Sequence, residues 1–230
     1  MSPLNNSSGG PLLCYVTDRH NLAACESQDA KEALLLKIGA AAAAGVDWIQ
    51  IREKDLSGKD CGSLTREILR RAAKSSANKT AAARILVNDR LDIALSERAG
   101  GVHLRENSLP LPEAERLANS QAQSQDFLIG VSCHSLEAAR SAANNGADYL
   151  FFGPVFATPL KAAFGVPQGL ERLAEVCRAV SIPVLGIGGI TLANASDCLA
   201  SGASGIAAIR LFQDTRDMSS LVQSLRKLTR

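Results

Sequence analysis

The sequence lacks several features that would place it in a specialised class of protein. Its 230 residues contain no long basic or acidic run, and the formal net charge is only +2 at pH 7. Proteins that bind nucleic acid or an anionic membrane surface usually carry such a run or a basic patch. We therefore expect no nucleic acid and no membrane as partner. Two or three clustered cations would still be enough to bind a small anion.

Signals for membrane insertion and secretion are also missing. No apolar stretch approaches the roughly 20 residues that a membrane-spanning helix needs, and the Ser/Asn/Gly-rich residues 1–10 lack the order of a signal peptide. We expect residues 1–10 to form a disordered tail and residues 11–230 to form a single cytoplasmic domain. The sequence is compatible with a homo-oligomer.

The cysteines form no CxxC pair, which argues against a metal site or a redox motif. Several lie among apolar neighbours, so we expect small buried hydrophobic residues in a reducing cytosol. The six are Cys14, Cys25, Cys61, Cys133, Cys177 and Cys198.

Short apolar runs alternate with Ala/Leu-rich stretches of helical period from one end of the chain to the other. The predicted strands are Leu13–Thr17, Asp47–Arg52, Arg84–Asn88, Gly101–Leu104, Phe127–Ser132, Asp148–Gly153, Pro183–Ile187 and Gly205–Ile209. The predicted helices are Ala30–Ala44, Cys61–Ser75, Leu91–Ala99, Pro112–Ala122, Ser135–Asn145, Leu170–Val180, Ala193–Ser201 and Ser219–Leu228.

The apolar runs are apolar on both sides, as in LLCYV and DYLFF, which is typical of parallel strands covered on both faces. Eight strand–helix units with right-handed crossovers predict an α/β protein, a parallel eight-stranded (β/α)8 TIM barrel. An open doubly wound sheet is the alternative, but no Gly-rich dinucleotide fingerprint follows the first strand.

A finer repeat favours the barrel. Segments that pair a helix-ending glycine with a following strand begin at Ala44, Ala99, Asn145 and Ser201. They recur about every 50 residues, which corresponds to two βα units.

In such a barrel the active site lies at the carboxyl ends of the strands, so polar residues there are the candidates. Gln50, Arg52 and Lys54 alternate along the end of the second strand and can face the mouth together. A charge within a strand is costly unless it is paired or meets a ligand. The further candidates at strand ends are Asn88, Asp89, Ser132, Thr158 and Lys161.

The double glycine Gly188–Gly189 follows the seventh strand, where its N–H groups and the next helix N-terminus could bind a phosphate. Arg210, at the end of the eighth strand, could add a charge-assisted bond, although a surface arginine is an equal explanation. His134 is placed to move protons, or alternatively to cap a helix. His103, inside a strand, is more readily explained as structural.

Taken in order, the motifs CYVTDR, GVDWIQIREK, ILVNDRLDIAL, GGVHL, GVSCHSLEAA, GADYLFFGPVFATP and IPVLGIGGI resemble the thiamine phosphate synthase/TenI superfamily. They cover nearly the whole chain. The resemblance implies a mouth that binds a thiazole phosphate and, in the synthases, a pyrimidine pyrophosphate with Mg2+. It assigns Gln50, Arg52 and Lys54 to the pyrophosphate substrate and Asp89 to the metal.

The two branches of that superfamily differ where this sequence departs from the synthases. Ser108 stands where a synthase has its second metal-binding aspartate, and the segment from Thr158 to Ala163 has lost a hydroxyl and an acid. Mg2+ in a phosphate site usually needs one or two carboxylates. These losses resemble the TenI-like branch, so we expect a thiazole tautomerase, an isomerase that needs no cofactor and uses His134. The alternatives are a thiamine phosphate synthase, a transferase that uses Mg2+, and a non-catalytic barrel that binds a phosphorylated ligand.

Overall fold

The computed structural model describes residues 10–22, 30–75, 82–121, 126–157 and 166–228. Eight strands pair in parallel in the order β1 to β8, and β8 pairs with β1 to close a barrel. The strands are β1 Leu12–Val16, β2 Trp48–Ile51, β3 Arg84–Asn88, β4 Gly101–Leu104, β5 Leu128–Cys133, β6 Tyr149–Phe152, β7 Val184–Ile187 and β8 Gly205–Ala208. The predicted (β/α)8 TIM barrel is therefore confirmed.

Helices follow the strands along the chain. They are α1 Ala30–Ala44, α2 Gly58–Ser75, α3 Leu91–Ser96, α4 Leu111–Gln121, α5 Leu136–Asn144, α6 Gly169–Ala179, α7 Ala195–Ala200, α8 Arg210–Gln213 and α9 Met218–Arg226. Over the described part of the chain this is one helix more than predicted, because the short α8 has no apolar period to reveal it. A single 3₁₀ turn, Arg19–Asn21, follows β1.

The hydrophobic residues form two cores, one on each side of the barrel wall. Inside the barrel, Trp48 and Phe151 flank Tyr149, with ring centroids 4.7 Å and 5.4 Å from it. Outside, the helices bury Leu, Ile, Val and Ala side chains against the strands. The strands are apolar on both sides because each side faces one of these cores.

Left-handed glycines end three of the four repeated helix–strand segments. Gly45, Gly146 and Gly202 have φ of 94°, 94° and 95°, which glycine adopts without strain. The segment at Ala99 differs: Arg98 takes the left-handed conformation, with φ of 55°. The expectation of a glycine cap is therefore wrong for that copy.

Within the described residues no helix is long and apolar enough to cross a membrane. The five cysteines described are free, and four of them are buried. Burial raises the pKa of the Cys133 and Cys198 thiols to about 12, so these side chains behave as small hydrophobic residues. Cys25 and residues 1–9 of the expected tail lie outside the described residues.

Candidate active site

A cavity of about 600 Å³ opens at the carboxyl ends of the strands, a size suited to a small-molecule substrate. Eight of the twelve predicted site residues line it, namely Gln50, Arg52, Asn88, Ser132, His134, Gly188, Gly189 and Arg210. Lys54 and Asp89 do not line it. Thr158 and Lys161 lie outside the described residues.

Gln50, on β2, is one of two deeply buried polar side chains of the cavity wall, the other being His103. Gln50 is 1% exposed, and its Nε2 donates to Asn88 Oδ1 over 2.9 Å. The other amide atom, Oε1, is buried and has no hydrogen-bond partner among the described residues. An unpaired buried acceptor costs roughly 1–3 kcal/mol. The site is therefore set up to accept a hydrogen bond from a ligand.

Two cations follow Gln50 on the same strand end. The Arg52 guanidinium lines the cavity, and its Nη1 lies 3.9 Å from Asp18 Oδ2. The pKa of Lys54 is lowered, first by the nearby charge of Arg52 and then by burial and by Arg105. Crowded positive charges of this kind attract an anion.

Glu53, between these two cations, points elsewhere. Its buried carboxylate accepts a 2.6 Å hydrogen bond from Thr17 Oγ1 and a 3.0 Å hydrogen bond from Arg19 Nη1. These contacts tie the end of β2 to the segment after β1. They leave Glu53 satisfied within the protein, so it is not available to replace a missing metal ligand.

The Gly188–Gly189 loop after β7 is shaped for close approach of a ligand to the backbone. Both residues have positive φ, 98° and 67°. A Cβ on Gly189 would lie 2.7 Å from the Ala157 carbonyl oxygen and 2.7 Å from Phe156 Cβ. The N–H groups of Gly189 and Ile190 have no protein partner within the described residues. They are available to an anion.

The helix that follows this loop starts slightly later than predicted. The helix α7 begins only at Ala195, and it has six residues. Asn194 closes the intervening turn, since its Oδ1 accepts from the Thr191 N–H over 2.8 Å. Arg210, which begins α8 after the neighbouring strand β8, has a 61% exposed side chain and pairs with Asp214 Oδ2 at 3.1 Å.

Replacing Gly189 with alanine is expected to weaken phosphate binding by at least about tenfold, because the strained φ and the clash with Phe156 displace the loop. Gly169→Ala is the matched control. Gly169 has φ of 79°, but nothing lies within 4 Å of its would-be Cβ. Isothermal titration with inorganic phosphate measures both variants. Equal affinity in the two variants would contradict phosphate binding at this loop.

The two histidines of the mouth differ in environment. His134 is exposed, and its Nδ1 lies against the Gly153 carbonyl oxygen, which can only accept, so Nδ1 carries a proton and donates it. His103 is buried, with Nε2 2.8 Å from Ser132 Oγ and Nδ1 3.1 Å from Tyr149 Oη. His103 therefore orients the serine that lines the cavity.

The predicted metal position is occupied by protein groups. Asp89 Oδ2 accepts a 2.6 Å bond from Arg105 Nε, and Asp89 Oδ1 accepts from the Ser108 hydroxyl. Burial alone would raise the pKa of Asp89, but these two donors outweigh it and lower the pKa. No group of three or more His, Cys, Asp or Glu residues able to hold a metal occurs in the described ranges. This arrangement does not fit a protein-held Mg2+.

Glu106, near this position, is also engaged. Its Oε2 accepts from the His134 backbone N–H over 3.2 Å. The sequence places Arg105 at the end of the fourth strand but gives no sign of its contact with Asp89, which depends on side-chain geometry beyond the strand end. Sequence reasoning missed that His103 and Phe151 line the cavity. The only signal for them was the inward-facing alternation along β4 and β6.

The fold and the cavity define a class: a parallel α/β barrel with a cavity at the carboxyl ends of its strands that is lined by cations and glycines. Comparison with known proteins identifies the family within this class. The family described as thiamine monophosphate synthase matches residues 16–212, and this chain belongs to it.

Individual relatives agree with the family match. The thiamine-phosphate synthase of Methanoculleus marisnigri is 43% identical over 186 residues, which cover 81% of this chain and 83% of that protein. The thiamine-phosphate synthase of Methanocella arvoryzae is 42% identical over 188 residues, covering 82% and 84%. A solved thiamine phosphate pyrophosphorylase of Pyrococcus furiosus superposes with a TM-score of 0.76 at 31% identity, covering 94% of this chain and 95% of that one.

A 3-hexulose-6-phosphate synthase has a TM-score of 0.66 at 15% identity, which shows the shared barrel alone. The chain is thus an enzyme of the thiamine monophosphate synthase family. The relatives carry the synthase name and give no specific support to the expected tautomerase.

Proposed function

We propose that this enzyme is a thiamine-phosphate synthase, which joins a pyrimidine carried on a pyrophosphate to a thiazole phosphate. The thiazole nitrogen attacks the pyrimidine methylene carbon. A C–N bond forms, the C–O bond to the pyrophosphate breaks, and its electron pair leaves with the pyrophosphate. The names of the relatives support this reaction over the tautomerase that the substitutions at Ser108 and beyond Thr158 suggest.

The observation that carries the proposal is the buried, unpartnered Oε1 of Gln50. An aminopyrimidine offers an exocyclic N–H donor to such an acceptor, whereas a phosphorylated thiazole carboxylate is rich in acceptors. Asn88 holds the Gln50 amide from the other side, which fixes the direction of Oε1. The end of β2 therefore supports binding of a pyrimidine ring.

Different surrounding residues bind the two substrates. Arg52, with Lys54 at the rim, is placed to stabilise the negative charge that develops on the departing pyrophosphate. The N–H groups of Gly189 and Ile190 bind the phosphate of the thiazole on the other side of the mouth. The Phe151 and Ile187 side chains give the cavity an apolar wall between these charged ends.

The test is a comparison of two reactions with the purified protein. Incubation with pyrimidine pyrophosphate and thiazole phosphate is expected to release thiamine phosphate and pyrophosphate in equal amounts. Gln50→Met keeps the side-chain length but removes the acceptor, so the KM for the pyrimidine should rise about 10- to 100-fold. The KM for the thiazole should stay the same.

Gln213→Met provides the matched control. Gln213 is also buried with an unpartnered Oε1, but it does not line the cavity. Its replacement should leave the pyrimidine KM unchanged. If both variants raise that KM equally, the pyrimidine assignment at Gln50 fails.

A second candidate, the metal-free tautomerase, is favoured by one observation: Arg105 and Ser108 occupy both oxygens of Asp89. Its proton transfer would use Nε2 of His134. Incubation with the thiazole tautomer alone decides between the two. Conversion of the tautomer without any coupling of the two substrates would replace the synthase assignment.

A further inference from the structure

The pair formed by Asp89 and Arg105 has a geometry that suits anion binding. Arg105 follows directly after β4, and Asp89 follows directly after β3. Nε and Nη2 of the guanidinium both face Asp89 Oδ2. Because guanidinium carries five N–H donors, the donors on its other edge remain for a ligand. The Arg105 side chain is 65% exposed, so a ligand can reach that edge.

Arg105 also belongs to a group of positive charges beside the mouth, although its side chain lines the neighbouring cavity with Glu106 and Ser108. The charges that act on Lys54 are those of Arg52, Arg105, Asp18 and Asp89. We call Arg52, Lys54 and Arg105 the cationic rim. The carboxylates of Asp18 and Asp89 also act on Lys54, while Glu53, which acts on Arg52, is paired with Arg19. Adjacent cations of this kind suit a ligand with more than one negative charge.

We propose that Arg105 binds the substrate's pyrophosphate group directly, held in place by Asp89, and thereby does the work that a divalent metal would do at this position. The inference rests on the proposed synthase function. Asp89 is then a positioning residue and not a metal ligand. Ser108 contributes by occupying the second carboxylate oxygen, which fixes the rotation of Asp89.

The experiment measures binding of inorganic pyrophosphate to the full-length protein by isothermal titration, in EDTA and again with Mg2+. We expect the unmodified protein to bind in EDTA. Arg105→Ala should weaken that binding about 10- to 100-fold, the usual range for charge-assisted hydrogen bonds. Arg116→Ala is the control of equal charge change, since Arg116 is equally exposed and pairs with Glu113 on α4. It should bind as the unmodified protein does.

Asp89→Asn separates positioning from simple electrostatics. Removing a negative charge should strengthen anion binding if Asp89 only opposes the anion. The positioning role predicts the opposite, namely weaker binding, because the guanidinium loses its anchor. Asparagine tolerates the positive φ of 59° at this position, so the loop should keep its shape.

The double variant R105A/S108D tests whether a metal held by two carboxylates can replace the guanidinium of Arg105. It removes the guanidinium and supplies a second carboxylate beside Asp89, so its pyrophosphate binding should require Mg2+. The inference is overturned if the unmodified protein binds pyrophosphate only with Mg2+, or if Arg105→Ala has no effect in EDTA. Since binding is measured without the thiazole, loss of coupling activity alone would refute the proposed function and not this inference.

Discussion

Arg52→Ala is expected to lower kcat/KM for the coupling reaction about 10³-fold, the upper range for removing one preorganised charge from a transition state. Arg52 is the cation of the rim that lines the cavity itself. Burial lowers its pKa, while the charges of Asp18 and Glu53 oppose that effect. A half-buried guanidinium beside a departing pyrophosphate acts in a site of low polarity, where each charge contributes more than in water.

The variant should fold normally, because it loses only the 3.9 Å ion pair with Asp18 and keeps the backbone hydrogen bond of Arg52 to the barrel. Its N–H donates to Thr17 Oγ1 over 2.9 Å, and alanine keeps that bond. Arg52→Lys retains the charge without the planar fork and should lose less activity. Arg66→Ala removes an equal charge on the outer helix α2 and should have no effect. A drop of less than about tenfold in Arg52→Ala would remove Arg52 from transition-state stabilisation.

Most of the barrel could be predicted because its strands carry their own signal. The three central residues of β3 and all four residues of β4 are buried, and the bounds of both strands match the prediction. The predicted ends of helices were less accurate where the conformation of a single residue ends the helix. The predicted helix Leu91–Ala99 stops at Ser96, and Arg98 then turns into the left-handed conformation. Nothing in the sequence marks an arginine for that role.

Some features of the candidate site could likewise be predicted from the sequence, and others could not. Gln50 on β2 and Arg52 directly after it line the cavity as expected, because the alternation of side chains along a strand fixes their direction. Their chemical roles stay predictions. The pairing of Arg105 with Asp89 depends on loop geometry and side-chain reach after two different strands, which no local pattern encodes.

The stability of the protein is expected to fall as pH drops below about 6.5, and His103 contributes to this fall. Its ring is 1% exposed and packs 4.1 Å from the Phe151 ring centroid. Burial lowers the pKa of His103 from 6.5 to about 3, and the charge of Asp89 only partly opposes that effect. The folded protein therefore keeps His103 neutral where the unfolded chain already binds a proton.

The sign and size follow from this difference. Above about pH 6.5 neither state is protonated at His103, so its contribution to the unfolding free energy is fully present. Between that pH and about pH 3, only the unfolded state takes up the proton, and stability is lost at about 1.4 kcal/mol per pH unit. By pH 4.5 the loss should reach about 2–3 kcal/mol.

His103→Gln removes the titration but keeps a polar side chain near Ser132, so it isolates this effect. The variant should be less stable than the unmodified protein near pH 7.5. The difference between their unfolding free energies should be smaller near pH 4.5 by about 2–3 kcal/mol. Urea unfolding at both pH values measures this difference. Carboxylates such as Asp47 titrate in both proteins, so their contributions cancel in the difference. His20→Gln reports what an exposed histidine contributes. A gap for His103→Gln that stays constant across this range would show that the buried ring accepts a proton in the folded barrel.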